Sequence, residues 1–217
     1  MKKDMTELVF ILDRSGSMAG LESDTIGGYN AFLQKQKKQD GECRITTVLF
    51  DNQIELLHDR IDLPAVRPLT EQDYQVGGCT ALNDAIGLTV SRIGDVQKRT
   101  AEEYRAGKVL FVIITDGLEN ASRRYSTTQV RAMIRRQKEK YHWEFVFLGA
   151  NMDAAEQAEE LGIGADRAAD YAADPDGTEL NFRVMSEAVS SYRQKGVVPD
   201  GCLEEIRRDA KSRKKRR

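Results

Sequence analysis

Two short, unbroken apolar runs constrain this chain more than anything else in it: Leu8-Val9-Phe10-Ile11-Leu12 and Val109-Leu110-Phe111-Val112-Ile113-Ile114. A strand with one wetted face alternates apolar and polar residues. A run without alternation suits a strand covered on both faces, as in a parallel sheet. Residues 45–50 and 143–148 read as further strands, and residues 167–171 as a short edge strand. Between them Ile26, Tyr29, Phe32 and Leu33 recur at helical spacing, with Ser23 or Asp24 available as an N-cap. Leu82, Ile86, Val90 and Ile93 predict a helix running toward Tyr104 and closed by Gly107. Further helices are expected over 127–140, 152–161 and 179–192, the last capped by Gly196.

Asp51-Asn52 leaves too little chain for a parallel crossover between residues 45–50 and 54–63, so that pair is expected to be an antiparallel hairpin. The prediction is an α/β fold: a doubly wound, Rossmann-like three-layer sandwich with a mostly parallel sheet of about six strands and one antiparallel strand. Residues 1–196 are assigned to this domain and 197–217 to a C-terminal extension with a basic tail.

Composition narrows the function. The formal net charge is −2, yet the seven residues from Lys211 to Arg217 carry six of the 33 Lys+Arg and none of the 35 Asp+Glu. The rest of the chain is therefore acidic, which argues against nucleic acid as a partner, since phosphate contacts need a basic face. No stretch approaches the roughly 18 apolar residues of a membrane span. The run at 8–12 is shorter than the roughly 7–15 residues of a signal peptide's apolar region. Three scattered cysteines, Cys43, Cys79 and Cys202, do not make a disulfide framework. A cytoplasmic location with reduced thiols is expected, with Cys43 and Cys79 as small buried residues.

The strand ends carry the chemistry. The first run leads into Asp13-Arg14-Ser15-Gly16-Ser17, the central one into Thr115-Asp116-Gly117, and the loop Gly77-Gly78-Cys79-Thr80 precedes the helix at 82. In doubly wound sheets such ends meet near the switch in strand order. Asp13, Ser15, Ser17, Thr80 and Asp116 are oxygen donors with no histidine among them, a hard ligand set of low charge that favours Mg²⁺ or Mn²⁺. Taken singly, Asp13 and Ser15 would pass for helix caps and Asp116-Gly117 for a turn.

Taken together, the three segments resemble the metal-ion-dependent adhesion site (MIDAS) of the von Willebrand factor type A family, down to Gly16 and Met18 of the Asp-x-Ser-Gly-Ser-Met form. The resemblance spans roughly residues 6–193 and points to a stand-alone cytosolic bacterial type. It implies that Ser15 and Ser17 coordinate the ion directly, Thr80 directly or through water, and Asp13 and Asp116 mainly through water. It also implies an open coordination position for a carboxylate from a protein partner. The function expected is a metal-dependent adaptor or scaffold, not an enzyme. The competing reading is a metal-dependent phosphatase or phosphotransfer enzyme, which lacks the second acid of Asp-x-Asp and a convincing lysine. Dinucleotide binding is disfavoured because no Gly-x-Gly-x-x-Gly follows the first strand.

Overall fold

The computed structural model describes residues 1–214. The apolar runs become the centre of a six-stranded sheet: β1 (Lys2–Asp13), β2 (Cys43–Phe50), β3 (Ile54–Asp62), β4 (Ala106–Thr115), β5 (Glu144–Ala150) and β6 (Ala168–Tyr171), in the order β3-β2-β1-β4-β5-β6. All neighbours pair in parallel except β2 and β3, whose hairpin register joins Phe50 to Ile54 and Arg44 to Asp62. The chain winds outward from β1 on one side, then returns to its other side with β4. That reversal opens the crevice between the ends of β1 and β4.

Because side chains alternate across a strand, each central strand feeds two cores. Leu8, Phe10, Leu12, Leu110, Val112 and Ile114 face α1 (Glu22–Lys37) and α5 (Pro175–Lys195) through Tyr29, Phe32, Phe182, Met185 and Val189. Val9, Ile11, Phe111 and Ile113 face α2 (Leu82–Arg99), α3 (Thr127–Tyr141) and α4 (Ala154–Glu160) through Ile86, Val90, Val130, Ile134 and Ala158. The molecule is thus the predicted three-layer sandwich.

Several boundaries differ from expectation. The strand begins at Lys2 rather than Leu8, because β2 and β4 offer pairing partners to its polar start. The second helix stops at Arg99, and Gly107 lies inside β4. Thr100 ends that helix in an extended conformation, with its hydroxyl donating to the Val96 carbonyl. Neither Ser23 nor Asp24 caps α1; Leu21 occupies that position without a side-chain bond. A helix not foreseen, α6 (Glu204–Lys214), lies against β6 and takes in the start of the basic tail, whose last three residues lie outside the described residues. Its apolar stripe is thin, Leu203, Ile206 and Ala210, and all three are buried.

Arg193 near the end of α5 is buried and donates to the carbonyls of Gln36, Gln39, Asp40 and Gly41 at the end of α1. A cation set on the carbonyl end of a helix meets the negative end of its dipole.

Candidate metal centre

Three loops converge at the β1/β4 crevice. Leaving β1, the chain makes a tight turn through Gly16–Met18, tied to the neighbouring loop by Gly16 N–H to Gly78 O at 3.1 Å and Gly77 N–H to Arg14 O at 2.9 Å. Gly78 takes a positive φ of +74°, and a Cβ there would lie 2.1 Å from Asn52 Oδ1. Glycine adopts that conformation without the strain another side chain would bring.

All five predicted residues come together at this place. Ser15 Oγ lies 3.0 Å from Ser17 Oγ, and Thr80 Oγ1 donates to Ser15 Oγ at 3.1 Å. Behind the hydroxyls sits Asp13, only 1 % exposed. Its Oδ1 accepts from the Ser15 amide at 2.7 Å, and its Oδ2 accepts from the Thr115 hydroxyl at 2.6 Å and the Asp116 amide at 3.4 Å. Asp116, 4 % exposed, accepts from the Asn151 side-chain amide. Burial raises both carboxyls above their usual range, opposed at Asp13 by the Thr115 and Ser15 hydrogen bonds. Asp116 is pushed up to about 6 by burial, with the Asn151 bond opposing and the Asp13 charge adding to the rise.

The helix-cap alternative fails on geometry. Asp13 and Ser15 stand well before α1, and the Ser15 side chain makes no capping bond to the backbone of the turn it precedes. Asp116 is likewise engaged through its side chain rather than serving only as a turn former.

The donor set fits a small hard cation. Mg²⁺ prefers octahedral oxygen ligands at about 2.0–2.1 Å, which places adjacent ligands roughly 2.8–3.0 Å apart. The Ser15–Ser17 and Ser15–Thr80 separations match that edge. The same spacing suits hydrogen bonds between hydroxyls, so the cluster can exchange one for the other with little movement. Gly117 keeps the space clear: a Cβ there would come within 2.8 Å of Thr80 Oγ1 and 3.3 Å of Ser17 Oγ. Among the described residues no group of three or more His, Cys, Asp or Glu side chains could hold a metal.

Sequence reasoning missed the layer that fixes these loops. Thr80 is held through its amide to Asn120 Oδ1 at 2.9 Å, while its carbonyl accepts from the Asn120 and Ala121 amides. Glu119 accepts from the Asn83 amide at the start of α2 and from the Ala121 and Ser122 amides. Asp84 in turn accepts from the amides of Arg123, Arg124 and Tyr125. Tyr74 donates to the Asp13 carbonyl from beneath. The only advance signal was the density of acids and amides after Asp116, residues that readily bond nearby backbone.

One expectation about a flanking residue changes. Cys79 is exposed rather than buried, since the turn that aims Thr80 inward points its neighbour out. Arg14 beside it is held by Asp51 and Glu55 of the β2–β3 hairpin. Arg123 and Arg124 are exposed, and Cys43 is buried as expected.

No protein-family model matches the sequence, and no curated protein matches it. Solved structures do match the fold. Proximal thread matrix protein 1 from the mussel byssus, in a form with a zinc-occupied MIDAS motif, has a TM-score of 0.58 and 12 % identity over 85 % of this chain and 46 % of that one. A von Willebrand factor type A protein from Catenulispora acidiphila gives 0.55 and 13 % over 86 % of this chain and 42 % of that one. The ArnB paralog VWA2 from Sulfolobus acidocaldarius gives 0.54 and 17 % over 85 % and 45 %. This chain thus spans less than half the length of each of these structures. With its strand order, its antiparallel edge hairpin and the five-residue motif gathered at the switch point, the chain has the von Willebrand factor type A fold.

Proposed function

We propose that this domain is a metal-dependent protein-interaction module, an adaptor that binds a partner's Asp or Glu at a surface Mg²⁺ or Mn²⁺. The observation that carries this reading is the Ser15 hydroxyl set 3.0 Å from that of Ser17 and 3.1 Å from that of Thr80, close to an octahedral edge, backed by two buried carboxylates. Ser15, Ser17 and Thr80 would hold the ion from the protein side, with Asp13 and Asp116 acting mainly through water. When bound, the ion supplies an exposed positive centre with room for one more oxygen. Neutral hydroxyls cancel little of its charge, so a carboxylate arriving from solvent is strongly attracted.

The metal-bearing form of the mussel protein supports a divalent ion at this kind of site, and its zinc widens the candidates beyond Mg²⁺ and Mn²⁺. Among the described residues no helix is long and apolar enough to cross a membrane. A location in the cytoplasm remains part of the proposal.

A phosphotransfer enzyme would need a carboxylate free to attack. Asp13 is ill-suited to that, since it is buried and both its oxygens already accept hydrogen bonds. Calorimetric titration with Mg²⁺ and Mn²⁺ tests the metal site. Wild type is expected to bind, and a folded Ser15→Ala/Asp116→Ala variant is expected not to. Equal binding by both proteins would dismiss the assignment.

A further inference from the structure

Three residues other than glycine hold a positive φ among the described residues: Arg60 at +52°, His142 at +56° and Asn151 at +56°. Two of them have a local cause. His142 is the C-cap of α3, where a left-handed residue commonly closes a helix. Arg60 lies in a bulge of β3, where the register sets Asp59 and Arg60 against Thr46 alone and the Arg60 amide donates to the Thr46 hydroxyl. Asn151 closes no helix and belongs to no strand. It is the first residue after β5, at the same end of the sheet as the crevice.

What distinguishes Asn151 is its side chain, whose amide donates to Asp116 Oδ1. A left-handed backbone is unfavourable for any residue with a Cβ, though asparagine tolerates it better than most. Glycine would take the same turn without strain. Glycine, however, has no side chain with which to reach Asp116. Asparagine therefore meets both demands at this position, the turn and the donor.

The bond limits what Asp116 can offer an ion. Its Oδ1 is engaged, while Oδ2 has no hydrogen-bond partner among the described residues. Asp13 is restrained more fully, with Oδ1 accepting from the Ser15 amide and Oδ2 from the Thr115 hydroxyl. Neither acid is free to close on a cation with both oxygens. Mg²⁺ takes six ligands in a tight octahedron and is usually held by few carboxylates. Ca²⁺ takes six to eight at about 2.3–2.6 Å and commonly draws on a carboxylate through both oxygens. A centre whose acids are tied in this way fits the smaller ion.

We propose that Asn151 is a positioning residue of the metal centre: by holding Asp116 Oδ1 it denies the site a bidentate carboxylate and makes it prefer Mg²⁺ to Ca²⁺. This rests on the proposed metal site and adds to it the residue that sets the choice of ion.

Calorimetric titration of the full chain with Mg²⁺ and with Ca²⁺ tests this in wild type, Asn151→Gly and Asn151→Ala. The glycine variant removes the amide and relieves the backbone, whereas the alanine variant removes the amide and keeps the unfavourable φ. Wild type is expected to bind Mg²⁺ more tightly than Ca²⁺. Both variants are expected to bind Mg²⁺ about 10–100-fold more weakly, the usual scale for a lost contact to a metal ligand, and Ca²⁺ as tightly as wild type or more so. A residue that served only the fold would weaken both ions alike. Parallel loss of both ions would therefore overturn the inference and leave the metal site standing. Mg²⁺ affinity kept in Asn151→Gly and lost in Asn151→Ala would overturn it too, because the backbone and not the amide would then be the cause. Binding of neither ion by wild type would remove the metal site, and this inference with it.

Discussion

At the scale of single residues, the convergence of Asp13, Ser15, Ser17, Thr80 and Asp116 was legible because each is set by local chain geometry. Asp13 and Asp116 end buried strands, and the hydroxyls sit at alternate positions or follow paired glycines. What was not legible is which other side chains hold them, because Asn120, Asn151 and Tyr74 meet their partners only through the folded sheet. The exposure of Cys79 was misread for a similar reason: composition says how often cysteine is buried, not which way one turn faces.

His58 shows the same dependence on tertiary context. Nothing in the sequence gave it a partner, yet it is buried on β3 with its Nδ1 3.0 Å from the Thr47 hydroxyl. Burial, helped by the nearby Arg67 charge, lowers its pKa below the ordinary 6.5. The unfolded chain then takes up a proton below pH 6.5 that the folded ring resists, so this residue's contribution to stability falls as the pH drops from 7 to 5. The slope is at most about 1.4 kcal/mol per pH unit for one proton. Urea titrations at pH 7 and 5 should show less loss in His58→Gln than in wild type, and equal losses would refute a buried neutral ring.

At the scale of elements, apolar periodicity placed the strands and helices α1 to α5, while α6 escaped it. Its only buried apolar residues are Ile206 and Ala210, with Leu203 just before it, and nearly all its other residues are charged, so no periodic signal rises above the background. Its position follows instead from specific bonds. Arg207 donates to the carbonyls of Ala165, Asp166 and Ala168, covering the outer side of edge strand β6.

The contact between α1 and α5 depends on Arg193 in a comparable way. Its guanidinium satisfies carbonyls at the end of α1 without any carboxylate partner. Replacing it with Met keeps much of the apolar stem but strands those buried acceptors. Arg193→Met is expected to lower stability by about 2–4 kcal/mol, summed over several lost charge-assisted bonds, with the loss seen in urea denaturation. A change below about 0.5 kcal/mol would mean that water replaces the guanidinium freely.

At the scale of the molecule, the sheet order was predictable only in type. The alternation of strands and helices announces a doubly wound sheet, but the pairing of β1 with both β2 and β4 had to come from the structure. That pairing joins Leu8 to Leu110 and Leu12 to Ile114, residues about a hundred positions apart. Pairings so distant in sequence form late and slowly, because the intervening chain must first be ordered. The crevice therefore does not exist until β4 has docked beside β1, and the segment through Tyr125 must close over it afterwards. A cation bound by Asp13, Ser15, Ser17, Thr80 and Asp116 recognises only the finished domain. Mg²⁺ is accordingly expected to slow unfolding while leaving the refolding rate unchanged, a split that stopped-flow traces with and without the ion would read directly. Faster refolding in Mg²⁺ would show that the loops meet early. On this topology an ion held at the crevice would act on how long the folded domain lasts, and would have no part in how quickly it forms.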